Sequence, residues 1–197
     1  MKYNELSDEA KQVALEHHSN NAADYEWDEC IKADWVEKLE SLGIYTDVKS
    51  ICWTGFWSQG DGASFTGSIN LKEFLEAHPD IKNNSRALYI TTIPFNGEAQ
   101  CDWYIDLIKS SSHYSHERTV GIDVSDMSCT LTGESEMESL WVDAEEDILE
   151  QCRDYMKEIY RELENEYDYI TSQEALIERD ADYAEDGQET VCFGEFL

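Results

Sequence analysis

The spacing of apolar residues changes three times along the chain, and each change predicts a different kind of element. Leu6, Ala10, Val13 and Ala14 share one helical face between residues 5 and 18. Ser7 stands where a cap is needed, and Asp8 and Glu9 complement the positive end of the helix dipole. His17 and His18 mark the expected end of this helix. A second helix is predicted over residues 23–42, because Trp27, Ile31, Trp35, Leu39 and Leu42 recur at spacings of four and three, and Gly43 follows as its stop.

From Ile44 the period shortens. Residues 51–57 and 63–69 read as two strands around the turn Gln59-Gly60-Asp61-Gly62, a β-hairpin. Phe56, Trp57 and Phe65 are expected to anchor its core. Asn70 caps a short helix over residues 71–78 that stops before Pro79. Further strands are predicted at 86–94, ended by proline and the Asn96-Gly97 turn, at 101–108, and at 114–124, where Val120, Ile122 and Val124 alternate. The helical period then returns. Met137, Trp141, Ala144, Ile148, Cys152, Tyr155, Ile159 and Leu163 form one stripe on a long helix from about residue 135 to Tyr167. A last short helix opens at Thr171-Ser172-Gln173-Glu174, and the tail holds an Asp186-Gly187 turn and the apolar run Val191-Cys-Phe.

This order predicts an α+β fold: a small, mostly antiparallel sheet flanked by helices, with a long acidic C-terminal helix covering it. At 197 residues the chain reads as a single domain over 1–197, with N-terminal helices at 5–43, a central sheet at 44–130, an acidic helical region at 134–180 and a short tail.

Charge alters the picture more than composition does. The 44 Asp and Glu against 14 Lys and Arg leave a formal net charge of −30. That excess repels phosphates and anionic lipid, so direct nucleic-acid binding and membrane association are not expected, whereas cationic partners are. No run of 18 apolar residues occurs and the first residues carry no apolar signal core, so a cytoplasmic protein is expected. The imbalance is uneven: residues 1–50 carry 12 acids and 5 bases, residues 51–133 carry 10 and 5, and residues 134–189 carry 21 and 4. On the long helix Glu146, Glu150, Asp154, Glu158 and Glu162 stand four apart, a row of carboxylates about 6 Å from one to the next along the axis. Lys157 and Arg161 are expected to offset part of it. Phosphates along one DNA strand are about 3.4 Å apart, so such a row beside a second acidic surface would approximate DNA's charge density. The plainer reading is a solvated helix face that needs no partner.

The remaining chemistry-bearing residues form weaker patterns. His17-His18 can ligate a metal or simply complement the helix C-terminus. His113 and His116, with Glu117 or Asp123, have the residue types of a metal site but not the spacing of a zinc helix. Gly60-Asp61-Gly62 lacks the Gly-Lys-Ser/Thr of a phosphate loop, and Ser58, His113 and Asp61 have the composition of a triad with nothing to bring them together. Six scattered cysteines without a Cys-x-x-Cys pair are expected to be buried thiols. No catalytic residue, metal site or cofactor is therefore assigned. Trp57, Gln59 and Asp61 remain as an alternative site for a small ligand or an enzymatic role at the hairpin.

Several strings together resemble a family of small acidic proteins from bacteriophages and prophages. They are Glu5-Leu-Ser-Asp-Glu-Ala-Lys11, Tyr25-Glu-Trp-Asp, Gly55-Phe-Trp-Ser-Gln-Gly-Asp-Gly-Ala-Ser-Phe65, Tyr167-Asp-Tyr-Ile-Thr-Ser-Gln-Glu-Ala-Leu-Ile177 and Glu185-Asp-Gly187. The resemblance is specific in the string Phe56-Trp-Ser-Gln-Gly-Asp-Gly-Ala-Ser-Phe65 and loose around Arg179–Tyr183. It implies a phage origin rather than an activity. By analogy with acidic decoys of restriction and CRISPR proteins, it implies an anti-defence role. The expected function is thus a DNA-mimicking inhibitor of a basic, nucleic-acid-binding host protein, engaged through Glu146, Glu150, Asp154, Glu158 and Glu162. The alternatives are the hairpin site and an antitoxin-like partner of a basic toxin.

Overall fold

Local signals account for where three of the helices begin. In the computed structural model Ser7 Oγ accepts from Ala10 N–H at 3.2 Å, Asn70 Oδ1 from Lys72 and Glu73 N–H at 3.1 and 3.3 Å, and Ser172 Oγ from Ala175 N–H at 3.2 Å. Each satisfies donors that the first helical turn cannot pair internally. The structure describes residues 1–23, 26–82, 104–110, 113–123 and 135–190, with backbone alone at 23, 82 and 135–144. Within these the fold is α+β. The helices are α1 (Asp8–Ala23), α2 (Asp28–Ser41), α3 (Leu71–Ala77), α4 (Pro79–Lys82), α5 (Ser135–Ile170) and α6 (Gln173–Glu178). The strands are β1 (Ile44–Tyr45), β2 (Ile51–Thr54), β3 (Gly62–Phe65), β4 (Gly67–Asn70), β5 (Tyr104–Lys109) and β6 (Val120–Asp123). The predicted strand at 86–94, the turn at Asn96-Gly97, the final apolar run, Cys101, Cys129, Cys192, and the side chains of Met137, Trp141 and Ala144 lie outside the described residues.

The chain forms two compact units, Met1–Glu29 with Glu162–Leu197, and Cys30–Arg161. In the first, Tyr3, Leu6, Ala10, Ala14, Leu176 and Tyr183 pack as one buried cluster. Val13, placed by its spacing on the same face, is 44% exposed instead. Helix α1 also continues past His17-His18 to Ala23. No glycine or proline interrupts residues 19–23, and Asn21 Nδ2 meets His17 Nδ1 one turn away at 2.9 Å. Trp27 lies ahead of α2 and packs on Tyr167, with ring centroids 5.8 Å apart.

In the second unit, α2 buries Trp35 and Leu39. Gly43 follows at φ +79°, a left-handed conformation that suits glycine, and turns the chain into β1. A four-stranded antiparallel sheet runs β1-β4-β5-β6, and β2 pairs with β3 as a separate hairpin. The predicted strand at 63–69 is therefore two strands. Phe65 pairs with Ile51, whereas Ile69 pairs with Ile44 and Ile105, so the chain changes sheets at Thr66. The fifth predicted strand shortens to β6, because His116 caps a 3₁₀ turn at Glu117–Thr119. Phe65, Ile69, Phe74 and Ile105 are buried, each burial contributing about 1.5–3 kcal/mol before entropy is counted.

On α5, Ile148, Cys152, Tyr155, Ile159 and Leu163 of the predicted stripe are buried, and Met156 joins them. Tyr155 tilts against Trp35 at 6.3 Å and bonds to the buried His78 at the end of α3. His78 Nδ1 lies 2.6 Å from the Phe74 carbonyl. Donation from Nδ1–H leaves Nε2 to accept from the Tyr155 hydroxyl, so the pair satisfies both ring nitrogens of a buried histidine.

The cysteines differ from the uniform burial their scatter suggested. Cys152 is buried and its thiol is pushed up to about 12 by desolvation, while Cys30 is exposed and Cys52 half-buried. A thiol-alkylating reagent at neutral pH, read by peptide mass spectrometry, is expected to label Cys30 in the folded protein and Cys152 only after unfolding. Asn70→Ala removes the α3 cap and the Asn70 Nδ2 bond to the Tyr104 hydroxyl. It is expected to lower stability by about 1–2 kcal/mol in denaturant titrations, with Asn70→Asp, which keeps the cap acceptor, costing less.

Candidate functional site

A row of carboxylates four residues apart needs an uninterrupted helix to become a surface feature. Helix α5 supplies this over Ser135–Ile170. Burying the stripe from Ile148 to Leu163 turns the opposite side outward, and Glu146, Glu150, Asp154 and Glu162 are exposed while Glu158 is half-exposed. The structure thus gathers all five predicted residues on one helix.

It also places cations among them. Lys157 Nζ lies 2.8 Å from Asp154 Oδ1 and 3.5 Å from Glu150 Oε1. Arg153 Nη1 lies 3.6 Å from Glu150 Oε2. From α2, Lys38 Nζ lies 3.4 Å from Glu158 Oε2 and 3.6 Å from the centroid of the Trp35 ring. The bond to Asp154 is the largest influence on the Lys157 ammonium and raises its pKa. Arg161, expected to offset the row, instead directs Nε to the Lys157 carbonyl at 3.4 Å. Lys38 and Arg153 take the neutralising role the sequence pattern gave to Arg161. These pairs are solvent-exposed, so each is worth only about 0–1 kcal/mol and is weakened by salt.

The acid excess is densest elsewhere. The unit formed by residues 1–29 and 162–197 holds 20 Asp and Glu against 3 Lys and Arg, whereas residues 30–161 hold 24 against 11. Two of those three bases are engaged: Lys2 with Asp180 and Asp182, each at 3.3 Å, and Arg179 with Glu189 at 2.8 Å.

The hairpin differs more from its sequence pattern. Asp61 Oδ2 accepts from the backbone N–H groups of Trp57 and Ser58 at 2.9 and 2.6 Å, so this carboxylate organises the loop between β2 and β3. Gly55 permits that closure: it sits at φ +31°, and a Cβ there would lie 2.7 Å from Asp61 Oδ2. Phe56 stacks on Trp53 at 5.0 Å and tilts on Tyr160 at 5.4 Å, and the Tyr160 hydroxyl donates to the Gly55 carbonyl at 2.8 Å. Phe65 is fully buried, but Trp57 is 79% exposed and is no core anchor. The tight loop turns its ring outward, edge-on to Phe56 at 6.1 Å. Gln59 is exposed. Asp61 meets the Ser58 backbone, which does not assemble a triad with His113.

His116 has a local structural task. Its Nδ1 lies 3.2 Å from the Arg118 backbone nitrogen and 2.9 Å from Glu117 Oε2; unprotonated it accepts from Arg118 N–H, protonated it donates to Glu117, one contact or the other at a time. Among the described residues no group of three His, Cys, Asp or Glu is placed to hold a metal ion. None of their helices is long and apolar enough to cross a membrane.

Because Asp61 holds two backbone donors, Asp61→Ala is expected to cost about 1–3 kcal/mol in thermal or denaturant unfolding. Asp61→Asn, which retains an acceptor, is expected to cost less. An unchanged midpoint in Asp61→Ala would show that the loop closes without the carboxylate.

No curated protein and no solved structure matches the sequence. The model of one family, described as "Domain of unknown function (DUF8835)", matches residues 27–173. That span contains all of Cys30–Arg161 and the whole of α5. The chain belongs to this family.

Proposed function

We propose that the chain is an acidic inhibitor that occupies the cationic groove of a nucleic-acid-binding protein in a host cell. The observation that carries this reading is the outward row Glu146, Glu150, Asp154, Glu158 and Glu162 along α5. The helix sets its spacing at about 6 Å. The neighbouring cations do not cancel it, because exposed pairs at high dielectric exchange readily for the guanidinium and ammonium groups of a basic groove. The net charge of −30 adds long-range attraction, which raises the rate of encounter with a cationic surface. The resemblance to phage and prophage proteins points to a host defence protein, such as a restriction or CRISPR component, as the target.

Affinity would come from charge complementarity and release of counterions. By the measure of four phosphates neutralised, binding is expected to fall on the order of a hundredfold between about 50 and about 200 mM salt. The test is capture of host proteins on the immobilised chain at both salts, with elution by duplex DNA. Recovery at low salt of a nucleic-acid-binding protein that DNA displaces supports the reading. The combined variant Glu146→Gln, Asp154→Asn, Glu158→Gln and Glu162→Gln is expected to lose at least tenfold in affinity while remaining helical by circular dichroism. A partner that DNA does not displace, or one bound equally by this variant, overturns it.

The exposure of Trp57 favours a second reading, in which Trp57 and Gln59 contact a small ligand or partner at the hairpin. Asp61 then acts only by holding the loop.

A further inference from the structure

In a chain with 14 Lys and Arg against 44 Asp and Glu, cations concentrated at one place ask for an explanation. Arg118, Arg153 and Lys157, with Glu117 and Glu150, line an open pocket of about 280 Å³. Three positive and two negative side chains give it a net charge of +1. Lys157 and the Nη1 of Arg153 are engaged by Glu150 and Asp154. Two sets of donors are not. Arg153 Nε is buried with no hydrogen-bond partner among the described residues, an arrangement that ordinarily destabilises a fold. Arg118 uses its backbone N–H on His116, and its guanidinium makes no ion pair or hydrogen bond among the described residues. The two guanidinium groups come from distant parts of the chain, the 3₁₀ turn before β6 and the middle of α5.

We infer that this pocket binds a phosphoryl group, as free phosphate or as the phosphomonoester end of a small organic molecule. A planar guanidinium presents paired N–H donors that match two oxygens of a tetrahedral phosphate, and the unspent donors of the exposed Arg118 are of that kind. Lys157 supplies a point charge for a third oxygen. Glu150 holds Arg153 and Lys157 in place, and with Glu117 it keeps the empty pocket from carrying an uncompensated charge of +3. The volume exceeds what one phosphate needs, which leaves room for an ester group. The surrounding field of the protein repels anions, so the site selects for a ligand whose short contacts to guanidinium outweigh that repulsion. Its salt dependence differs accordingly from that of the carboxylate row. Screening of the long-range repulsion by added salt offsets the loss of contact attraction, so phosphate affinity is nearly flat where groove binding falls steeply.

The test is isothermal titration of the full chain with inorganic phosphate and with phenyl phosphate, at pH 7.5 and two salt concentrations. Saturable one-to-one binding is expected for at least one of the two probes. It should weaken at least tenfold in Arg118→Gln, a change that leaves the unfolding midpoint unmoved because this guanidinium holds nothing in the fold. Arg153→Gln removes a positive charge from the pocket lining and is expected to weaken binding as well. Tighter binding of phenyl phosphate identifies an ester ligand, and tighter binding of inorganic phosphate a free-ion site. No saturable binding of either probe up to about 10 mM, near the weakest range of specific recognition, overturns the inference. So does equal binding by Arg118→Gln. Neither result bears on the carboxylate row, since its test variant leaves Arg118, Arg153, Lys157, Glu117 and Glu150 unchanged.

Discussion

The second unit depends on what the backbone does between Gly62 and Asn70. Every buried N–H and C=O in this stretch must find a partner, and no single sheet provides them all. The first four residues pair with β2, Thr66 N–H reaches back to the Ser50 carbonyl at 3.4 Å, and the next four pair with β5, Ser68 and Ile69 among them also with β1. Asn70 then ends the strand and begins α3 in one residue. Its N–H bonds to the Gly43 carbonyl at 2.9 Å while its side chain caps the helix. Nine residues thus join a hairpin, a sheet and a helix, and Phe65 and Ile69 among them, with Leu71 just after, are buried in one continuous run.

That run shows where reading the sequence succeeds and where it stops. The caps at Ser7, Asn70 and Ser172, the stop at Gly43 and the stripe on α5 were all legible, because each is decided within a few residues by helix geometry. The change of sheet at Thr66 was not. Residues 63–69 alternate like one strand, and only the identity of the partners, Ile51 on one side and Ile105 on the other, divides them. Trp57 misleads for a similar reason. Its size suggests core, but the turn forced by Gly55 and fastened by Asp61 points it outward. The row from Glu146 to Glu162 was legible as a row. Its interleaving with Lys38, which approaches from α2, was not, since that contact joins residues 120 positions apart.

The distribution of charge has two scales. Over the whole molecule the sign is uniform, and the unit built from the two ends is the more acidic. Within a few ångströms the middle of α5 is close to balanced, with Lys157 and Arg153 set between Glu150 and Asp154. A long-range field and a local balance serve different ends. The first governs which surfaces approach, and the second governs what can be held once contact is made. The same helix therefore carries both proposed features, the row of carboxylates and, beside it, the Arg153 and Lys157 of the pocket.

The first unit joins residues 1–29 to residues 162–190, with the whole of the other unit between them. Tyr3 and Leu6 find their partners Leu176 and Tyr183 only after those residues have been made. At ribosomal speeds of about 5–20 residues per second, the N-terminal helix waits on the order of ten seconds or more after synthesis for the contacts that bury it. During that interval its apolar face is short, alanine-rich and bordered by Asp8, Glu9 and Glu16. Such a surface stays soluble while it waits, so the acidity at this end of the chain also protects a nascent polypeptide whose closure comes last.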